Sequence, residues 1–203
     1  YAARPPSYTG DRSEAMIWKR FFGTESRDEV PYQLYGAAVR QARSPAFYLD
    51  GGVPDTVEGR FEMVALHAWL LLRRLREGGE AGKATGQKVF DILFDDMDQT
   101  LREMGVGDLS VGKKIKALAA SFYGRMQAYD GGLQASGDEL LAGALLRNVY
   151  GEGADSGGQA ERLAAYVRRA DRDLHDQAIA EMLAGRVVFG TPFQRAETVP
   201  DTI

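Results

Sequence analysis

The segment nearest to a known chemical motif is residues 107–114, which almost match the phosphate-binding pattern GxxxxGK[ST]. That pattern needs a strand before the loop and a hydroxyl after the lysine to bind magnesium. A helical pattern precedes the segment here, and Lys114 stands at the hydroxyl position. The segment therefore predicts a turn between two helices followed by a basic helix start, and a nucleotide site is disfavoured.

A second group of residues is acidic and comprises Asp91, Asp95, Asp96 and Asp98. In helix-bundle dimetal proteins such carboxylates are joined by Glu-x-x-His motifs from other helices. Neither histidine of this chain has a glutamate three positions earlier. We interpret the aspartates as a solvated polar face, with a partner-binding acidic stripe as the alternative, and we predict no metal and no cofactor.

His67 lies in the most apolar stretch of the chain, residues 63–72. A buried, hydrogen-bonded histidine is the favoured interpretation, because no serine or cysteine nucleophile accompanies it in a recognisable pattern. The chain contains no cysteine and only one other histidine, His175. These residues therefore form no recognisable catalytic constellation.

The charge balance bears on the class of partner. The chain has 25 Lys and Arg against 29 Asp and Glu, a net charge of −4, which disfavours DNA and general nucleic-acid binding. Basic clusters at predicted helix ends are interpreted as solvated faces, with contact to anionic lipid or ribosomal RNA as the alternative. These clusters are Arg73, Arg74, Arg76, Lys113, Lys114 and Lys116.

A short aromatic and basic segment stands near the start of the chain. Its residues suit docking at a membrane interface and equally suit packing onto the rest of the protein; they are Trp18, Lys19, Arg20, Phe21 and Phe22. No apolar stretch approaches the ~20 residues needed to cross a bilayer.

Helical periodicity positions all these residues. Apolar positions recur at steps of three and four, which predicts helices over about residues 30–42, 54–77, 83–104, 111–129, 138–150 and 158–184, with a short element at residues 45–50. Residues 186–189 are the single weak strand candidate. The predicted fold is all-α, one compact bundle of about six to eight mostly antiparallel helices. We assign residues 16–190 to it, residues 1–15 to an added or disordered lead and residues 191–203 to an irregular tail.

Glycine is abundant, with 24 of 203 residues, and we predict that it ends the helices, since a left-handed conformation costs glycine nothing. The predicted breaks lie at Gly51–Gly52, Gly78–Gly79, Gly105 and Gly107, Gly131–Gly132, Gly157–Gly158 and Gly185. The glycines left over are expected at close helix contacts; they are Gly59, Gly86, Gly112, Gly124 and Gly143.

Several ordered blocks make the chain similar to the ubiquinol–cytochrome c chaperone family. They include LYGAAVRQARSPAFY at 34–48, VPDT at 53–56, LHAW at 66–69, FDDMD at 94–98 and ASFY at 120–123. The similarity covers roughly residues 34–176 and resembles the bacterial members more than the mitochondrial ones. It implies an assembly factor, and not an enzyme, that binds newly made cytochrome b of ubiquinol–cytochrome c reductase (complex III). It also implies a peripheral location at the cytoplasmic face of the inner membrane. Mitochondrial relatives also act with the ribosome and a small partner protein, roles that the resemblance alone does not carry to this chain.

The resemblance also implies a partner-binding surface. Its expected residues are Phe47, Tyr48, Asp55, Arg73, Arg76, Asp95, Asp98, Phe122 and Tyr123. The competing hypothesis is a helical lipid- or small-molecule-binding domain with a pocket that joins His67 to Asp95 or Asp98. An exposed apolar patch flanked by charge would favour the chaperone, and a deep polar pocket would favour the ligand-binding domain.

Overall fold

Eight α-helices follow one another along residues 29–151 and 157–193, the two ranges that the structure, a computed structural model, describes. They are α1 (Glu29–Ala42), α2 (Pro45–Leu49), α3 (Val57–Leu75), α4 (Gly79–Glu103), α5 (Asp108–Gln134), α6 (Glu139–Leu145), α7 (Gln159–Asp176) and α8 (Ile179–Leu183). A 3₁₀ turn, Arg76–Gly78, links α3 to α4, and a π-helical turn, Leu146–Tyr150, follows α6. No strand occurs in the described residues, and the all-α prediction is confirmed.

The central element is α3, which is apolar around nearly its whole circumference. Thr56 caps it, because its Oγ1 accepts a hydrogen bond from the Gly59 amide at 3.1 Å, as N-cap threonines do. Residues 63–72 are all buried, and α3 contacts α1, α4 and α7. The helix predicted over residues 54–77 is therefore confirmed, and it lies at the centre of the bundle.

The neighbours of α3 run in different directions. The 3₁₀ turn folds α4 back along it, which brings Gly86 within van der Waals reach of Leu72. In contrast, His67 contacts Tyr166 and the later Arg73 contacts the later Asp171, so α3 and α7 run parallel.

The helix predicted over residues 158–184 is two helices. Gln177 leaves helical geometry with φ −75° and ψ 135°, and its side-chain amide forms two 2.9 Å hydrogen bonds with the backbone of Val188. This side-chain pairing also holds residues 186–189, which form no strand. Both the single helix and the strand were therefore wrong, because a long-range contact supplies the hydrogen bonds that a helix or a sheet would otherwise supply.

Glycines end most helices as predicted, with positive φ at Gly79 and Gly185 among others. The predicted break at Gly131–Gly132 was wrong, since both residues lie inside α5. Gly132 is needed there for a close approach, because an added Cβ would lie 2.7 Å from the Cα of Leu141 in α6. Periodic glycine thus marks a helix crossing as well as a helix end.

The leftover glycines divide into two kinds. An added Cβ on Gly59 would lie 2.0 Å from the carbonyl oxygen of Pro54, so this glycine allows a close contact with the segment that precedes α3 and not with another helix. Gly112 and Gly124 have nothing within 4 Å of such a Cβ, and the close contacts predicted for them were wrong. Both lie on the exposed face of α5.

The ends of the chain bear on the predicted domain limits. The lead, residues 1–15, and residues 16–28 lie outside the described residues, as do residues 194–203. Phe193, which we had assigned to the tail, lies with its ring 5.8 Å from that of Phe47. The packed structure therefore continues past residue 190.

Candidate partner-binding surface

Two of the expected partner-binding residues are inside the core, which corrects their assignment to the surface. Phe47 is fully buried, and its ring packs edge-on against His67 at 5.3 Å and Tyr166 at 4.9 Å. Phe122 is also buried, with its ring 5.9 Å from that of Phe90. Because the carbon surface of both rings is already covered, they support the fold and offer no contact area to a partner.

Tyr48 and Asp55 belong to a small patch at the start of α3. The Tyr48 hydroxyl donates to the carbonyl oxygen of Ala42 at 2.9 Å, and the Arg60 guanidinium lies 5.9 Å from the Tyr48 ring centre. Arg60 also donates to Asp55 at 2.6 Å, and this bond lowers the pKa of the Asp55 carboxyl. The patch is exposed and its charges are paired.

Arg73 lies at the other end of α3 and joins three helices. It donates to Asp171 of α7 and to Asp130 of α5, both at 2.9 Å. Trp69 donates its indole N–H to the same Asp130 oxygen at 3.2 Å. Charge-assisted bonds between half-buried groups are stronger than exposed ones, so Arg73 is a structural residue.

Arg74 corrects the interpretation of the arginine cluster as a solvated face. Its Nε donates to the carbonyl oxygen of Leu174 at 3.0 Å, and its Nη2 donates to that of Gln177 at 2.9 Å. These carbonyls belong to the last turn of α7 and the residue that follows it, which would otherwise lack partners. Arg168 likewise caps the end of α5, since it donates to the carbonyl oxygens of Gly132, Leu133 and Ala135.

The acidic stripe on α4 is divided between two roles. Asp95 is exposed, and Asp98 pairs with Arg102 at 2.5 Å. Asp96 instead turns inward and accepts a 2.7 Å hydrogen bond from the Tyr35 hydroxyl of α1. Burial raises the pKa of Asp96. The solvated-face interpretation therefore holds for Asp95, whereas Asp96 fastens α1 to α4.

A groove runs between α4 and α5 over the end of α3. Apolar side chains form its floor and walls, and polar side chains stand at its rim. The lining residues are Leu72, Arg76, Gly82, Lys83, Gly86, Gln87, Phe90, Tyr123 and Met126. Tyr123 is 56% exposed although its ring lies 5.7 Å from that of Phe90. The Arg76 guanidinium lies 3.3 Å from the Asp130 carboxylate, and the Arg76 side chain is 50% exposed. The groove therefore combines an exposed aromatic and apolar surface with a cationic rim.

Of the expected residues, only Arg76 and Tyr123 line this groove. Sequence reasoning did not single out Lys83, Gln87, Phe90 or Met126 as site residues. A signal existed, because α5 carries more large side chains than one buried face can hold. Phe122 and Tyr123 are adjacent in sequence, and adjacent residues of a helix cannot both face the same neighbour.

The electrostatic character of α5 extends beyond the groove. Between Asp108 and Asp130 the sequence contains no Asp or Glu but has four cationic residues, Lys113, Lys114, Lys116 and Arg125. The three lysines are exposed at the amino-terminal half of the helix. Arg125 reaches back to the buried Glu62 of α3 at 2.5 Å. Exposed cations without neighbouring carboxylates on the same helix favour an anionic partner.

His67 forms no pocket with Asp95 or Asp98. The ring is fully buried, with Nδ1 2.7 Å from the carbonyl oxygen of Met63 and Nε2 2.7 Å from the Tyr166 hydroxyl. A carbonyl only accepts, so Nδ1 carries the proton and Nε2 accepts from Tyr166. Burial lowers the pKa of His67 to about 4, which keeps the ring neutral. The predicted buried, hydrogen-bonded histidine is confirmed.

The aromatic and basic segment Trp18, Lys19, Arg20, Phe21 and Phe22 lies outside the described residues. Within the described ranges, none of the helices combines the length and apolar character that a bilayer crossing requires.

Comparison with known proteins finds relatives over most of the chain. A family model described as ubiquinol-cytochrome C chaperone matches residues 49–189. Ubiquinol-cytochrome-c reductase complex assembly factor 1 of Xenopus laevis is 28% identical over 137 residues, which are 68% of this chain and 68% of that protein. Its namesake in Drosophila melanogaster is 30% identical over 174 residues, 79% of this chain and 67% of that protein. The chain spans about half the length, 46%, of the mouse relative that it matches.

Among solved structures, the crystal structure of the Cbp3 homolog from Brucella abortus superimposes with a TM-score of 0.76 and 33% identity. The match covers 88% of this chain and 97% of that one. The arrangement of helices described above is therefore shared with an experimentally determined protein.

Proposed function

This chain belongs to the ubiquinol–cytochrome c chaperone family, and from that membership we propose that it assists assembly of ubiquinol–cytochrome c reductase by binding newly made cytochrome b. Two relatives carry the name of assembly factors for this reductase complex. The proposed action is to hold a client protein, without catalysis and without a resident cofactor.

The observation that supports this function best is the groove between α4 and α5. Its apolar lining comes from Leu72, Phe90 and Met126, and Tyr123 stands exposed at its edge. Aromatic and methionine side chains adapt to varied apolar partners, and tyrosine and arginine are enriched where partners bind most strongly. A hydrophobic membrane protein presents the kind of segment that such a surface would cover before assembly.

Photo-crosslinking in cells that make cytochrome b tests this proposal. A photoreactive amino acid at Arg76, Gln87 or Tyr123 should capture cytochrome b, whereas one at the exposed Val188, outside the groove, should not. Deletion of the gene should lower the amount of assembled reductase. If no groove position captures cytochrome b and the reductase stays at normal levels, the proposed function is wrong.

We also propose peripheral attachment at the cytoplasmic face of the inner membrane through Trp18, Lys19, Arg20, Phe21 and Phe22. An aromatic and basic segment suits the interface of an anionic bilayer. Flotation with anionic liposomes should be lost when these five residues are replaced by serine. Equal flotation of the two proteins would exclude this segment as the attachment site.

A further inference from the structure

Two glycines of α4, Gly82 and Gly86, line the groove between α4 and α5. Glycine inside a helix costs about 1 kcal/mol relative to alanine, yet an added Cβ on Gly86 would make only ordinary contacts, 3.6 Å from Leu72 and 3.7 Å from Leu75. Gly82, one turn earlier, differs, since its Cβ would lie 2.1 Å from the carbonyl oxygen of Leu75. Gly86 is buried, and its missing Cβ faces Leu72 and Leu75 of α3, so both glycines let α4 lie close to the end of α3 that forms the floor of the groove.

The rim of the groove is cationic, and no carboxylate lines it. Lys83 is 62% exposed and pairs with Glu80 at 2.8 Å. Arg76 makes the longest of the contacts to Asp130, which already accepts from Arg73 and Trp69. A carboxylate from a partner could therefore reach both rim cations without breaking a buried ion pair.

The occupant that this arrangement suits best is a helix. The groove lies between two helices and offers side chains but no free strand edge, so an extended peptide would leave its own backbone groups unpaired. A helix satisfies its backbone internally and presents a ridge of side chains at steps of three and four, the recurrent mode by which amphipathic helices fill apolar grooves. A flat membrane surface would not enter a groove of this shape.

We propose that the groove binds one amphipathic helix of a partner protein, with apolar residues on Leu72, Phe90 and Met126 and carboxylates paired with Arg76 and Lys83. This inference rests on the proposed function, because it specifies the class of client segment that the chaperone holds. The charges select for an acidic helix, and the apolar lining supplies contact area.

Two labelled peptides of about 18 residues, about 27 Å of helix, test the charge preference. Both carry the same leucine and phenylalanine face, and one has glutamate on its flanks where the other has lysine. Fluorescence anisotropy against the full chain should give about tenfold tighter binding of the acidic peptide, as expected from two exposed ion pairs. Equal binding, or tighter binding of the lysine peptide, would overturn the proposal.

Variants locate the site. The double variant Arg76→Glu, Lys83→Glu should reverse the preference for the acidic peptide. Arg147→Glu, Arg172→Glu makes the same change in net charge at exposed positions outside the groove and should leave the preference intact. If the control pair removes the preference while the groove pair keeps it, the binding site lies elsewhere and the proposal is wrong.

A third variant tests the groove independently of charge. Gln87 is exposed on its rim, so Gln87→Trp should fill the opening, weaken the acidic peptide about tenfold or more and leave the circular dichroism spectrum unchanged. Unaltered binding by this folded variant would contradict the proposed site.

Peptide binding without capture of cytochrome b would refute the proposed function alone, whereas capture without a charge preference would refute this inference alone.

Discussion

Two regions along α3 and the turn that follows it use polar residues in opposite ways. Near the middle of the helix His67 is enclosed by aromatic rings, and both of its nitrogens are hydrogen-bonded inside the protein. At the end of the helix Arg73 bridges three helices, while Arg76, one turn later, stands half-exposed at the rim of the groove. A polar group whose hydrogen bonds are complete stabilises the fold, and one left partly free at an apolar rim can recognise a partner.

This contrast separates the two hypotheses for function. A ligand pocket at His67 would need a free ring nitrogen and an opening, and the ring has neither, since it is fully buried and doubly bonded. The groove at the opposite end has an exposed aromatic ring, apolar lining and cations. We call the buried surroundings of His67 and Phe47 the closed end, and the groove with Arg76 and Tyr123 the open end. The two should respond differently to mutation.

The largest effect is expected from Phe47→Ala at the closed end. Deletion of a fully buried phenylalanine ring costs about 3–5 kcal/mol, including the cavity that it leaves. Urea unfolding should show this loss, and Phe47→Leu, which preserves most of the volume, should lose much less. A stability loss below about 1 kcal/mol for Phe47→Ala would show that this ring is not held as the structure places it.

The pH dependence of the closed end comes next. His67 has a folded pKa of about 4 against the ordinary value of 6.5, so its contribution to stability is present above pH 6.5 and is lost as the pH falls toward 4. The difference in unfolding free energy between wild type and His67→Gln should shrink by about 2 kcal/mol from pH 7 to pH 4.5. A constant difference across that range would contradict a neutral buried ring.

The wild-type curve alone would hide this effect, because Glu62 acts in the opposite direction. Burial raises the pKa of Glu62 from 4.5 to about 7, although the Arg125 charge opposes the shift. The folded state therefore holds this proton more tightly, and the contribution of Glu62 to stability falls as the pH rises from 4.5 to 7. For this reason the effect of His67 is measured as the difference in unfolding free energy between wild type and His67→Gln at each pH.

A smaller effect on stability is expected at Asp130, which accepts hydrogen bonds from Trp69 and Arg73 and also from Arg76 at the rim of the groove. Asp130→Asn weakens these bonds. It should cost about 1–2 kcal/mol, at the low end of the about 1.5–3 kcal/mol for hydrogen bonds to charged groups, because asparagine keeps an acceptor oxygen. Urea unfolding measures it, with Asp95→Asn as the exposed control that should change stability by less than about 0.5 kcal/mol. Equal effects of the two substitutions would argue against the bridge.

The smallest effect on stability belongs to the open end. Tyr123→Ala should change the unfolding free energy by less than about 1 kcal/mol, because the side chain is 56% exposed. The same substitution should weaken the acidic peptide by about fivefold or more, since tyrosine often dominates binding at interfaces. Large destabilisation with unchanged peptide binding would reverse the contrast between the two ends.

Much of the fold could be predicted because helical periodicity is a local property. The steps of three and four in residues 54–77 predicted the helix that the structure shows as α3, Val57–Leu75. The end of α7 at Asp176 could not be predicted in this way. It depends on the bonds of Gln177 to Val188, a contact for which local periodicity carries no signal.

The candidate site was predicted only in part. Arg76 and Tyr123 were expected and do line the groove, whereas Phe47 and Phe122 were expected at a surface and are buried. Likeness to a family identifies residues that matter but does not separate those that build the protein from those that meet its partner. Burial makes that separation, and burial depends on how helices distant in sequence pack.

The sequence by itself determined the helical class, the apolar helix over residues 54–77, the burial of His67 and the likeness to a chaperone family, because each depends on residue type and short-range spacing. Tertiary structure alone decided that Phe122 turns inward while the adjacent Tyr123 faces solvent. It also decided that Asp96, and not Asp95, fastens α1 to α4. Successive residues of a helix point about 100° apart, so the packing of neighbouring helices chooses which of them becomes core and which remains free to bind.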